Sequence, residues 1–210
     1  MTKSNLREKI SNYWYYYKVH TYVGILVLIS LVFMITQCAK KVNPDGTAML
    51  LIKDTVLETA QSKQIDGVLS RYSQDLNHDG QHYIMLDTLD INPKFTQLET
   101  ANEIKLAANF QTGDEVLVLM DQAGYGRLSD KGVFQNVKSL VPNAVTVDDF
   151  RVRLSDIPAF RELKIPAVTD RLYLSIRKYA GAVKAATNRT NYDNSVAIFK
   201  ELLKNQKSSG

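Results

Sequence analysis

Residues 114–121 read DEVLVLMD, five apolar residues in a row with acidic residues at both ends. A run of this length without polar alternation predicts a strand buried on both faces, which is the central position in a mostly parallel sheet. Its N-terminal neighbours fit the same plan. Residues 93–111 predict a helix opened by Pro93, with Phe95, Leu98, Ile104 and Ala108 as its apolar contributors and Thr112–Gly113 as its stop. Residues 82–91 (HYIMLDTLDI) predict a strand, entered from a polar turn over 75–80. Residues 54–72 predict an amphipathic helix, because Ile65, Val68, Leu69 and Tyr72 recur at i, i+3, i+4 and i+7. Residues 47–52 are another short apolar run suited to a buried strand.

Strand–helix–strand–helix–strand spacing predicts an α/β fold with a largely parallel sheet. Beyond Asp121 the pattern loosens. Residues 122–132 contain Gly124, Gly126 and Gly132 and read as loop. A short helix is expected within 133–141, extended chain over 145–154, a helical turn over 157–163 and a strand over 171–179 (RLYLSIRKY). A closing helix over 191–205 carries Tyr192, Val196, Phe199 and Leu203 on one face.

Upstream of the domain, residues 19–39 carry no formal charge and lie between Lys18 and Lys40–Lys41. Their centre, VGILVLISLVFMI, is apolar on every face, and about 20 such residues suffice for a helix to cross the hydrocarbon of a bilayer. The run exceeds a usual signal-peptide core and no small-x-small cleavage pattern follows, which predicts an uncleaved signal anchor. Tyr13, Trp14, Tyr15, Tyr16, Tyr17 and Lys18 precede it as an interfacial aromatic belt. Basic residues before the span predict an N-terminus inside and the domain outside. Cys38 reads as an unmodified residue at the outer end, since Gln37 replaces the small residue that lipoprotein processing needs.

The resulting expectation is α/β: an N-terminal transmembrane helix, then one mostly parallel, mixed sheet with flanking helices. The chain divides into a cytoplasmic basic and aromatic tail (1–18), a membrane helix (19–39), a linker (40–46) and an extracytoplasmic domain (47–210). An apolar fraction of 45% with 23% charged residues is that of a folded chain, not a disordered one. Of the net charge of +4, three units belong to residues 1–18, so the basic pI reflects the membrane flank and leaves no patch for nucleic acid. One cysteine allows no internal disulfide.

Candidate chemistry is sparse. Asp75-x-Asn77-x-Asp79-Gly80 is the first half of a calcium loop, with oxygens converging and a glycine for the sharp turn. Leu86 stands where the closing carboxylate belongs, so an Asx-rich turn competes with calcium binding. His78 and His82 share an H-x₃-H spacing, but in a chain turning into a strand it does not bring two imidazoles to one face. Gly124-x-Gly126 has Ser129 in place of a third glycine and is a weak phosphate cradle. Its position after a parallel strand is nevertheless where open α/β sheets bind ligands, which makes Asp121, Tyr125 and Arg127 the candidate ligand residues. No nucleophile elbow, P-loop or metal-hydrolase pattern occurs, so no enzyme and no cofactor is expected.

Taken in order, WYYYK before a single span, the turn DLNHDG (75–80), GDEVLVLMD (113–121) and LYLSIR (172–177) ahead of a closing helix form a recognisable series. The series resembles membrane-anchored proteins of Gram-positive bacteria whose outer domain is similar to part of an extracytoplasmic solute-binding protein. The resemblance implies an anchored binding or accessory module of the cell envelope, with the bilayer and a small solute or a membrane protein as partners. Solute-binding proteins close two lobes over their ligand, and this chain has residues for one. A structural or scaffolding role through protein–protein contacts is the alternative.

Overall fold

The computed structural model describes residues 3–39, 44–91, 96–113, 115–179, 185–204 and 206, in two separate units, Met1–Val42 and Asn43–Gly210. The expected starts at Pro93 and Asp114, the linker residues 40–43 and the expected end at Asn205 fall outside the described residues.

The first unit is one helix, α1 (Lys3–Ala39). It begins well before the apolar run, so the expected tail is helical and its aromatic residues lie along a helix surface. There Tyr13 stacks on Tyr17 with ring centroids 5.3 Å apart, and Tyr13 Oη lies 3.1 Å from Thr21 Oγ1. Within it, Ser11–Thr36 holds an 18-residue stretch with a mean hydropathy of 2.2, none of it buried. At 1.5 Å per residue those 26 residues span about 39 Å, long enough to cross a membrane, and a signal sequence meets the same test.

The second unit is an α/β domain. Its elements, in order, are β1 (Gly46–Ile52), α2 (Thr59–Arg71), β2 (Ile84–Asp90), α3 (Thr96–Thr112), β3 (Glu115–Met120), α4 (Gln122–Ser129) and α5 (Val137–Leu140). There follow β4 (Val152–Arg153), a 3₁₀ turn (Leu154–Asp156), α6 (Pro158–Arg161), α7 (Pro166–Thr169), β5 (Tyr173–Ile176) and α8 (Ala185–Leu203). The strands form one five-stranded sheet ordered β2-β1-β3-β5-β4. β1 runs parallel to both β2 and β3, with Leu50 level with Thr88 on one side and Leu119 on the other. β5 lies antiparallel between β3 and β4. The mixed sheet was expected; the direction of its last two strands was not specified by the sequence.

The two apolar runs become central because burial on both faces is what they can tolerate. Ala48, Leu50, Ile52, Leu117 and Leu119 face a layer made by α2, α6 and α8, where Ile65, Leu69, Phe160, Ile198 and Phe199 are buried. Met49, Leu51, Val118 and Met120 face the other way, against Leu106 of α3 and Tyr125 and Leu128 of α4. Each buried Leu, Ile, Val, Met or Phe among these contributes about 1.5–3 kcal/mol.

Several elements depart from expectation; among them α7 was not anticipated and α8 begins at Ala185, six residues before the expected 191. α2 starts at Thr59, not at 54, because residues 53–55 turn inward as described below; its first turn is fixed by Glu58 N–H donating to Gln61 Oε1 at 3.0 Å. Residues 122–129, read as loop, are helical, since Asp121 caps them and Tyr125 and Leu128 bury against the sheet. Extended chain over 145–154 shrinks to Val152–Arg153. At the end of α3, Gly113 supplies the left-handed conformation (φ 74°) expected of a helix stop.

The linker also ends sooner than expected. Asp45, in the assumed turn, is 6% exposed and holds the polar turn before β2. Its Oδ1 accepts from Leu76 N–H at 2.8 Å and Asn77 N–H at 3.3 Å, and its Oδ2 from Tyr83 N–H at 2.9 Å.

Candidate functional site

In this sheet the chain leaves β1 towards β2 and returns beyond β1 to β3, so the strand order reverses between β1 and β3. Ligands of open α/β sheets sit outside the carboxyl ends of the strands at such a point. The carboxyl end of β1 here is followed by residues 53–55 with three successive N–H groups aimed at one spot. Asp121, the first residue after β3, occupies that spot. Its Oδ2 accepts from Lys53, Asp54 and Thr55 N–H at 2.8, 2.7 and 3.0 Å, and its Oδ1 from Gly124 N–H at 2.8 Å. The side chain is 2% exposed. Four backbone donors on one carboxylate form a complete anion site whose anion is part of the chain.

α4 seals the same place. A Cβ on Gly124 would come within 2.8 Å of the Leu51 carbonyl oxygen, so only glycine lets the helix start lie so close to the end of β1. The position that resembled the start of a phosphate cradle is instead a packing contact.

Tyr125, one turn after Asp121, is 8% exposed, its ring stacked on Phe134 with centroids 5.9 Å apart. The Arg151 guanidinium lies 4.0 Å from the Tyr125 ring centroid and 4.4 Å from that of Tyr173. It is fixed there by Nε donating to Asp148 Oδ2 and Nη1 donating to Gln122 Oε1, each at 2.7 Å. Burial, and then the Asp148 carboxylate, push the Tyr125 hydroxyl up to about 12. Arg127 does not join this group; it forms an ion pair with Glu103 of α3. Of the three candidate ligand residues, Asp121 and Tyr125 share the start of α4 and Arg127 turns away. Arg151 and Tyr173 complete the cluster, and neither carried a local signal, because they reach it from a loop and a strand distant in sequence.

A second polar cluster joins the middle of β2 to the amino end of β3 through α3. Glu115, read only as the acidic end of a strand, is 4% exposed. Asn109 Nδ2 donates to its Oε1 at 2.8 Å and to Asp87 Oδ2 at 3.3 Å, while Lys105 Nζ lies 2.6 Å from Asp87 Oδ1. Burial first, then the neighbouring Asp87 carboxylate, push the Glu115 carboxyl up to about 8 against the opposing pull of Asn109 and Lys105. Beneath it Arg177, 5% exposed, donates from Nη1 to the Asn109 and Glu115 carbonyls and from Nη2 to that of Phe110. Arg177 thereby closes the C-terminal end of α3.

The calcium-like turn has its oxygens turned to its own backbone. Asp79 N–H donates to Asn77 Oδ1 at 2.9 Å and to Asp75 Oδ1 at 3.2 Å; Gly80 N–H donates to Asp75 Oδ2 and Gln81 N–H to Asp79 Oδ1, both at 2.9 Å. His82 Nδ1 lies 2.9 Å from the Ser73 carbonyl, and His78 takes a left-handed backbone (φ 57°). Among the described residues no group of three or more His, Cys, Asp or Glu side chains is placed to hold a metal ion. Exchanging EDTA for millimolar Ca²⁺ is therefore expected to leave the melting temperature of the chain unchanged in differential scanning fluorimetry. A rise would mean that these carboxylates exchange their backbone donors for a cation.

No family model matches this sequence, and no curated protein matches it.

Proposed function

We propose that the chain is a membrane-anchored accessory module of the cell envelope, acting through contact of its outer domain with another envelope protein. The observation that carries this reading is the Asp121 carboxylate between the ends of β1 and β3. It takes up the donors that a small solute would need at the strand-order reversal, so recognition falls to the domain's surface. Anchoring is supported by the apolar helix within Ser11–Thr36, none of which is buried. The basic residues before it, with the aromatic residues that would settle at the headgroups, support an N-terminus inside and the domain outside.

Two measurements test this. Protease added to intact protoplasts is expected to remove the domain and leave a membrane-bound fragment containing α1; complete protection would reverse the orientation. Val56, 84% exposed on the loop after β1, is the place for a genetically encoded photocrosslinker. The expected product is a discrete adduct with an integral membrane protein. Absence of any adduct there and at equally exposed surface positions, with a solute that stabilises the chain through the Asp121 region, would favour the solute-binding alternative.

A further inference from the structure

The segment from the 3₁₀ turn to α7 buries one side and opens a cleft on the other. Leu154, Ile157, Phe160, Val168 and Leu172 enter the core. Outside them lies a cleft of about 260 Å³ lined by Ser155, Arg161, Lys164, Ile165, Pro166, Thr169 and Asp170. Its lining holds two cations, one carboxylate and the apolar surface of Ile165 and Pro166.

Three features bear on what this cleft could hold, its charged residues Arg161, Lys164 and Asp170 all being exposed. Neither Arg161, Lys164 nor Asp170 takes part in an ion pair among the described residues, although all three border one cleft. Arg161 is fixed by a single bond, Nε donating to the Ser155 carbonyl at 3.0 Å, which orients the guanidinium and leaves its two terminal nitrogens available for a bidentate acceptor. Lys164 sits in the turn between α6 and α7 with φ 55°, a left-handed conformation at a helix end where glycine is the default. Its ammonium is thus carried on a backbone that a glycine would hold with less strain, and turn geometry alone does not account for a lysine there.

We propose that this cleft is a binding site for a small zwitterionic acid, with carboxylates for Arg161 and Lys164 and an ammonium for Asp170. The ligand's charges complement two cations and one anion, and its short aliphatic stem lies over Ile165 and Pro166. The volume falls just below the ~300–1,000 Å³ of drug-sized sites, which suits a ligand the size of a single acidic amino acid. This site is independent of the protein contact proposed above.

The test uses the full chain in detergent micelles with glutamate as the probe, against sodium chloride at equal ionic strength. About 10 mM glutamate is expected to raise the melting temperature by roughly 3 °C, as a millimolar site would. Lys164→Gly keeps the fold at least as stable, because glycine accepts the left-handed turn, yet it should abolish the shift. Arg161→Gln should abolish it too, and free lysine should produce none. No shift beyond the salt control, a shift retained in Lys164→Gly, or an equal shift with inorganic phosphate would each overturn the assignment.

Discussion

Asp121→Ala is expected to destabilise the domain by about 3–5 kcal/mol, a large share of a typical folding free energy of ~5–15 kcal/mol. The substitution strips the acceptor from four backbone N–H groups at once, those of Lys53, Asp54, Thr55 and Gly124. A buried donor left without a partner costs about 1–3 kcal/mol, and water entering the site recovers part of the total. Asp121→Asn keeps the shape but turns an amide NH₂ towards backbone donors, so about 2 kcal/mol should be lost. Urea titration measures both: the midpoint falls while the slope stays constant. A loss below ~1 kcal/mol for alanine would mean that the carboxylate is dispensable to the fold and that the strand-order reversal is open to a ligand.

Glu115→Gln should act in the opposite direction, by an amount that grows as pH rises from 4.5 to about 8. The ordinary value for this carboxyl is 4.5, and in the fold it rises to about 8. Between those values the unfolded chain has released the proton and the native chain still holds it. Native protein then binds more protons, so its stability falls as pH rises. The contribution is fully present below 4.5 and is lost by the time pH passes about 8. Glutamine imitates the protonated carboxyl, neutral and able to donate towards Asp87, and cannot ionise. The variant should match the wild type near pH 4.5 and exceed it at pH 8 by on the order of 2 kcal/mol. Chemical denaturation at the two pH values gives the difference directly. If glutamine instead weakens the fold equally at both, Glu115 is ionised in the native state and Asn109 and Lys105 hold it as an anion.

Both residues show what the sequence makes legible. The apolar runs of β1 and β3 announce central strands because neither face meets solvent, and that property is local. The reversal of direction at β5 is not local: RLYLSIRKY reads as a strand, while its orientation is set by the long connection through α4 to α7. α4 itself was hidden by Gly124 and Gly126, which lower helix propensity, although burial of Tyr125 and Leu128 and the Asp121 cap outweigh that cost. Asp121 could be selected from its place after a parallel strand, yet its partners come from residues 53–55, so its inward role was invisible. Glu115 had the same difficulty; the acidic edge of a strand becomes a buried carboxyl only when Asp87 and Asn109 are brought beside it.

The placement of Asp45 has a mechanical consequence. The domain enters its sheet by the N-terminal end of β1, the strand with a parallel neighbour on each side along its length. A pull applied at that end along β1, with the rest of the sheet held, would load both ladders in shear, with their hydrogen bonds resisting together instead of parting one at a time. Asp45 adds three further bonds at the point where the force enters.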